Sequence, residues 1–357
     1  YHTLRRHEAY VGVSAREMLA SGDWLIPRFG GQPRLEKPPL GYWFVASLGW
    51  LQGEIDEWTV RCPAAISALL LVAFMGFWGT RWYGIRGGLS AAFILATSSF
   101  TIIWGRTGVI DLPLTLLTTS GLYLFANFCC QRDSSDRKSF VQHSQSPSRQ
   151  LILAYCLLGL SSLAKPAFGL ILVMLTCTAF LLIQRRVRWL FYLANPVGLA
   201  IAVLLTFAWP YLVSQQAPQV WQVWFTETVG RAVGATHYQE PFWFYTSPVL
   251  FLLAPWTPLI IAAVPNSWHR AWYQGDTRER FLWVCFLSQF LALSFSVGKS
   301  EKYILPALPP LCLIGAQKLA SLATLSSGKY RTASAKWAVY TIALSLAILA
   351  TAVVVSS

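Results

Sequence analysis

The chain of 357 residues is 55% hydrophobic and only 12% charged, about half the charge of an ordinary soluble domain. With a mean hydropathy of +0.48 and long apolar runs, this composition excludes a soluble enzyme and points to a polytopic membrane protein of the all-α class. A net charge of +13 raises the question of a nucleic-acid partner, which the distribution of that charge answers.

Residues 7–43 come first and are unlike the rest, being rich in charge without forming a hydrophobic span. Val11, Ala15, Met18 and Leu19 fall on one helical stripe, so 8–20 reads as a helix lying along a membrane surface. Ser21-Gly22 is its stop, and Glu8 sits in its first turn, where the helix dipole favours a carboxylate. Pro38-Pro39 forces extended backbone and holds Lys37 in place before a second interfacial helix over 40–52. The expected organisation is a loop carrying two interfacial helices over 1–60, followed by a transmembrane bundle over 61–357.

Apolar runs then read as about ten crossings: 61–82, 88–105, 110–130, 151–164, 166–184, 190–213, 243–264, 281–297, 304–321 and 337–355. The short 151–164 run ends at Lys165-Pro166, where proline removes a backbone hydrogen bond and breaks the helix. All seven cysteines, Cys62, Cys129, Cys130, Cys156, Cys177, Cys285 and Cys312, lie in or beside these runs. They read as small core hydrophobes and not as a disulfide framework or metal site. The polar, Ser- and Gln-rich 131–150 stretch reads as a loop without chemistry.

Alternate loops fall into two sets. The set 81–87, 131–150, 184–189, 265–280 and 318–336 holds 16 of the 28 Lys and Arg but 4 of the 15 Asp and Glu. The other set, 1–61, 105–111, Lys165, 214–242 and 298–303, is nearly balanced. The positive-inside rule makes the first set cytoplasmic and leaves no need for nucleic acid. The balanced face pairs acids with bases repeatedly: Arg106 with Asp111, Glu227 with Arg231, and Lys299-Ser300-Glu301-Lys302. These either build a polar site there or cap helix ends. Trp221, Trp224, Phe225, His237 and Tyr238 add aromatic surface suited to a sugar or headgroup cleft, or to an interfacial belt.

Taken together, these residues resemble the polytopic transferases that use polyprenyl-phosphate sugars, the aminoarabinose transferase and protein O-mannosyltransferase group of GT-C architecture. The resemblance is carried by His7-Glu8-Ala9-Tyr10, the run from Arg16 to Trp24, and Glu36-Lys37-Pro38-Pro39-Leu40-Gly41-Tyr42-Trp43. It continues through Arg106 with Asp111, Pro241-Phe242-Trp243-Phe244-Tyr245, Pro255-Trp256 and the run from Lys299 to Pro306. It implies a GT-C-type helical bundle whose long first external loop carries the catalytic acids, with one further helix before Tyr1. Members of the group carry Asp-Glu where this chain has His7-Glu8, so the base is open among Glu8, His7 and Asp111.

The implied reaction moves a sugar from a polyprenyl phosphate to an acceptor hydroxyl at the periplasmic face of a bacterial inner membrane. Lys37, with Arg106, Lys299 and Lys302, would clamp the leaving phosphate. The acceptor is left open among lipid, glycan and protein, and the sugar is not identified. No cofactor is certain. Glu36, His237 and Tyr303 lie in three external motifs, and their donor atoms would suit Zn²⁺ if they converged. A polytopic transporter of a lipid-linked or small anionic substrate is the alternative, and an inactive scaffold is a third. A transporter would place ionisable groups at mid-span and repeat its helices, and apart from Lys165 neither feature is evident.

Overall fold

The computed structural model of the chain describes residues 4–130, 147–230, 233–234 and 240–325. The expected final span over 337–355 lies outside the described residues, as do Arg231 and His237.

Helix α1 (Arg6–Ser21) starts where the Glu8 carboxylate reaches back to the Arg5 N–H at 2.8 Å, and it ends at Gly22 with φ 71°. A two-residue hairpin follows, β1 (Arg28–Phe29) with β2 (Gln32–Pro33). Both turn residues, Gly30 and Gly31, have positive φ (59° and 75°), the conformation a tight type I′ turn requires. Their N–H groups donate to the Glu17 carboxylate at 2.7 and 3.0 Å, which moors the hairpin to α1.

The apolar stripe of α1 packs on protein. Ala15 and Met18 are buried against Tyr42, Val45 and Ala46 of α2 (Leu40–Gln52) and Val60 of the next helix. In α2 the side facing the protein is Tyr42, Val45, Ala46 and Gly49, whereas Phe44, Ser47 and Leu48 face an apolar groove. The groove's other wall includes Ile66, Leu70 and Leu116 from the helices that follow.

Helix α3 (Glu57–Ala96) is capped by Asp56, whose side chain accepts from the Thr59 N–H at 2.8 Å. It reverses direction at Gly84, with φ 77° and ψ 175°. The two arms pack backbone to backbone: a Cβ on Gly88 would stand 1.9 Å from Thr80 Oγ1 and 2.5 Å from the Gly76 carbonyl. This 40-residue element covers the expected 61–82 span and the first part of 88–105. Helices α4 (Ser99–Trp104) and α5 (Asp111–Cys129) follow.

The break expected at Lys165-Pro166 separates α6 (Pro147–Ser162) from α7 (Phe168–Ile183). Then come α8 (Trp189–Leu193), α9 (Pro196–Ser214), α10 (Val220–Phe225) and a π-helical turn, Thr226–Gly230. The remaining helices are α11 (Thr246–Leu252), α12 (Thr257–Trp272), α13 (Thr277–Phe295), a 3₁₀ helix (Glu301–Ala307) and α14 (Leu308–Leu325).

Among the described residues, four helices are long and apolar enough to cross a membrane, and the pair α11–α12, bent by 110°, makes a fifth if it is one span. One aromatic-rich core, including Trp78, Phe125, Tyr155, Phe180 and Phe281, joins α3, α5, α6, α7 and α13. Exposed Leu69, Leu89, Ile171 and Leu204 are what a helical membrane protein presents to lipid.

The loops collect at two ends of this bundle. At one end Arg278 bonds the Trp82 carbonyl (2.8 Å), Tyr83 bonds Glu279 (3.3 Å), and Gln317 also donates to Glu279. These residues belong to, or adjoin, the loop set with the excess of basic residues. The charge-balanced set gathers at the other end.

Candidate active site

Four chain segments meet at the charge-balanced end. The segment before α2 supplies Arg34 and Lys37, α1 supplies His7 and Tyr10, the start of α5 supplies Asp111, and the 3₁₀ helix supplies Lys302. All of them line one cavity of about 90 Å³, together with Tyr42, Val60, Pro63 and Gly108. Pro39 is not extended as expected but helical (φ −80°, ψ −11°), and the Leu40 N–H after it donates to the Leu163 carbonyl at 3.1 Å. Asp111 opens α5 and is 4% exposed, and Lys302 Nζ lies 3.7 Å from its Oδ2. Lys37 Nζ stands 3.3 Å from Oε2 of Glu227, on the π-helical turn. Two lysines and two carboxylates from four distant segments thus converge. Such a group can neutralise an oxyanion and accept a proton.

A second pocket of about 200 Å³ meets the first at the Lys37–Glu227 pair. Glu227 and Tyr303 line it, while their neighbours Lys37 and Lys302 line the first. Its other walls are mainly apolar, among them Phe168, Ile171, Leu172, Ala292 and Leu293. Lys165, at the α6–α7 turn, lies at its edge with Nζ 3.2 Å from the Tyr303 ring centroid and 3.9 Å from that of Phe168, a cation–π arrangement.

Glu8 lies outside the cavity lining. It is 1% exposed and accepts from Arg61 Nε (2.9 Å), Arg61 Nη2 (3.1 Å), the Gly108 N–H (2.7 Å) and the Arg5 N–H (2.8 Å). Burial alone would raise its pKa. The Arg61 guanidinium and the two backbone N–H groups outweigh burial and hold the carboxyl below its ordinary range. A carboxylate so occupied ties α1 to α3 and to the 105–110 loop that delivers Asp111.

The other expected site residues are placed apart. Arg106 is exposed and pairs with no carboxylate among the described residues, and Asp111 has Lys302 as its partner instead. Lys299 Nζ donates to the Glu240 carbonyl at 2.8 Å, outside both cavities. Glu36 is half exposed, 4.0 Å from Arg34, and lines neither pocket. Tyr303 lines the second pocket, against Lys165. Among the described residues no three His, Cys, Asp or Glu side chains stand close enough to hold a metal ion. His237, the third residue of the expected zinc set, lies outside the described residues.

Reading the sequence missed Arg34, Arg61 and Lys165. The signal for Lys165 was present, a lysine in the short break between two apolar runs. Arg34 and Arg61 carry no such mark, since their partners lie on other helices.

Comparison with known proteins gives the chain its relatives. The family model of dolichyl-phosphate-mannose-protein mannosyltransferase matches residues 36–214. The undecaprenyl phosphate-alpha-4-amino-4-deoxy-L-arabinose arabinosyl transferase of Edwardsiella ictaluri is 31% identical over 314 residues, covering 85% of this chain and 53% of the relative. The Pectobacterium carotovorum enzyme of the same name is 30% identical over 88% of this chain and 54% of its own length. The chain thus spans about half the length of these relatives. Among solved structures, ArnT from Cupriavidus metallidurans bound to undecaprenyl phosphate aligns with a TM-score of 0.78 at 20% identity, covering 96% of this chain and 65% of that one. The Archaeoglobus fulgidus oligosaccharyltransferase AglB, in complex with an inhibitory peptide and a dolichol-phosphate, aligns at 0.58 with 15% identity, covering 96% of this chain and 50% of that one. Both likenesses establish a shared helical membrane fold.

Proposed function

Because the chain belongs to the dolichyl-phosphate-mannose-protein mannosyltransferase family, we propose that it moves a sugar from a polyprenyl-phosphate donor to an acceptor hydroxyl. The reaction takes place at the extracytoplasmic face of a bacterial inner membrane. One observation carries this reading: Lys37, Asp111 and Lys302, from three distant segments, line one cavity at the charge-balanced end of the bundle, beside an apolar pocket.

The donor phosphate lies at Lys37 and Lys302, and its polyprenyl chain runs through the apolar pocket past Phe168 and Leu172. Both lysines are paired with carboxylates, at 3.3 Å to Glu227 and 3.7 Å to Asp111. A phosphate that draws Lys302 toward itself releases Asp111. Asp111 then takes the proton of the acceptor hydroxyl as its oxygen attacks the anomeric carbon, and the bond from that carbon to the phosphate oxygen breaks. The polyprenyl phosphate leaves with its charge met by the lysines. A single displacement of this kind inverts the anomeric centre. His7, on the same cavity wall, is the second candidate for the proton.

The test is transfer of label from undecaprenyl-phosphate sugars, hexose and pentose in turn, by membranes containing the chain. The expected result is labelled acceptor in the wild type and none in Asp111→Asn, with undecaprenyl-phosphate binding retained by the variant. Label carried into proteoliposomes without transfer to any acceptor would overturn the proposal in favour of a transporter.

A further inference from the structure

A further cation, Arg34, lines the same cavity as the two lysines. Arg34 follows the β1–β2 hairpin, and its N–H donates to the Pro27 carbonyl at 2.7 Å, continuing the hairpin's backbone pairing. Its guanidinium lies 4.4 Å from the Tyr10 ring centroid, and its Nε donates to the hydroxyl of buried Tyr42 at 3.1 Å. Tyr10 in turn packs edge-on against Phe29 of the hairpin, with centroids 4.8 Å apart. The fork is therefore fixed before any ligand arrives.

Its charge is weakly met. Lys37 and Lys302 each have a carboxylate within 3.7 Å. The carboxylate nearest Arg34 is Glu36, 4.0 Å away, half exposed and outside the cavity lining. The two Nη groups of Arg34 have no acceptor among the described residues. A rigid guanidinium with two spare donors matches the oxygens of a phosphate or carboxylate.

Contacts distinguish this group from the lysines. Lys37 stands where the cavity meets the apolar pocket, because it pairs with Glu227 of that pocket. Arg34 packs instead on Tyr10 of α1 and bonds Tyr42 of α2. We propose that Arg34, seated on Tyr10 and Tyr42, binds an anionic group of the acceptor, so that the acceptor class is a hydroxyl compound carrying a nearby phosphate or carboxylate. The word acceptor rests on the transferase reading above, whereas the second anion site does not.

The test uses the purified chain in detergent, titrated with glycerol 1-phosphate, glycerate and glycerol, each with and without saturating undecaprenyl phosphate. Binding is read from the melting temperature and the tryptophan fluorescence. Glycerol 1-phosphate or glycerate, but not glycerol, is expected to bind with undecaprenyl phosphate already in place, and whichever binds more tightly identifies the anion. Arg34→Ala should weaken that binding about tenfold or more, the scale of a lost charge-assisted pair, and Arg34→Lys by less. Affinity for undecaprenyl phosphate should hold in both variants. Arg34→Gln serves in place of Arg34→Ala if the latter does not fold.

Displacement of glycerol 1-phosphate by undecaprenyl phosphate would overturn the inference, since it would mean one anion site. So would anion binding no stronger than that of glycerol, or an Arg34→Ala variant that loses undecaprenyl phosphate as Lys37→Ala does. If undecaprenyl phosphate does not bind the wild type, the transferase reading fails, and the Arg34 dependence of glycerol 1-phosphate binding still decides the anion site by itself.

Discussion

Replacing Glu8 with glutamine separates a carboxylate that performs chemistry from one that holds the site together. Glu8 is buried and accepts four hydrogen bonds, two from Arg61 and one each from the Gly108 and Arg5 N–H groups. Glutamine keeps the shape but loses the charge, and its NH₂ must face donors on one side or the other. Breaking a fully buried ion pair costs about 3–5 kcal/mol. The Arg61 side chain is 26% exposed and can turn part of its charge to water. The expected loss is therefore about 2–4 kcal/mol. At about 2 °C per kcal/mol for a chain of this size, Glu8→Gln should melt about 4–8 °C lower in detergent.

The pH dependence has a definite sign. The folded-state pKa of Glu8 lies below its ordinary value, so its contribution is fully present above that value and is lost as pH falls through the lowered one. The melting difference between parent and variant should therefore be constant near neutrality and shrink in acid. Release of Gly108 should also loosen Asp111, lowering kcat more than it raises KM. An unchanged melting temperature, within about 1 °C, would refute the tie. If it came with abolished transfer and loss of the acid limb of the pH–rate profile, Glu8 would be the base.

Other outcomes follow from the same contacts. Lys37→Ala should weaken undecaprenyl-phosphate binding about tenfold or more and abolish transfer in membranes while leaving protein levels unchanged. Glu227→Gln should tighten that binding, because it removes the carboxylate competing for Lys37, and calorimetric titration reads both variants. Asp111→Asn should remove transfer with donor affinity retained, as binding assays on the same preparation would show. Gly88→Leu should lower the melting temperature or prevent folding, because even a Cβ there meets Thr80 and the Gly76 carbonyl, an overpacking cost of about 1–3 kcal/mol or more.

Much of this protein was legible along the chain. The Lys165-Pro166 break is local and was legible, whereas the expected spans 88–105, 190–213 and 243–264 are each broken into two helices. The sorting of loops by charge corresponds to two real ends: residues 37, 111, 227 and 302 meet at one, and residues 82, 184, 278–280 and 317 at the other. The α1 stripe was legible as a stripe, but what covers it was not. Periodicity reports that a face is apolar, and lipid and protein satisfy that equally well. Here α2 and α3 cover it. Arg34 and Arg61 escaped notice for a related reason, since an arginine in a charged loop looks the same whether it faces water or a buried carboxylate.

The amino-acid sequence by itself determined the membrane class, the apolar runs and the end of the bundle at which paired charges collect. Each depends on hydrophobicity and charge summed over a short window, and so needs no knowledge of distant contacts. Tertiary structure alone decided the pairing: Glu8 with Arg61, Asp111 with Lys302, Lys37 with Glu227. An ion pair depends on separations of a few ångströms between side chains on different helices. Those separations are set by how α1, α3, α5 and the 3₁₀ helix pack, which no single stretch of chain encodes.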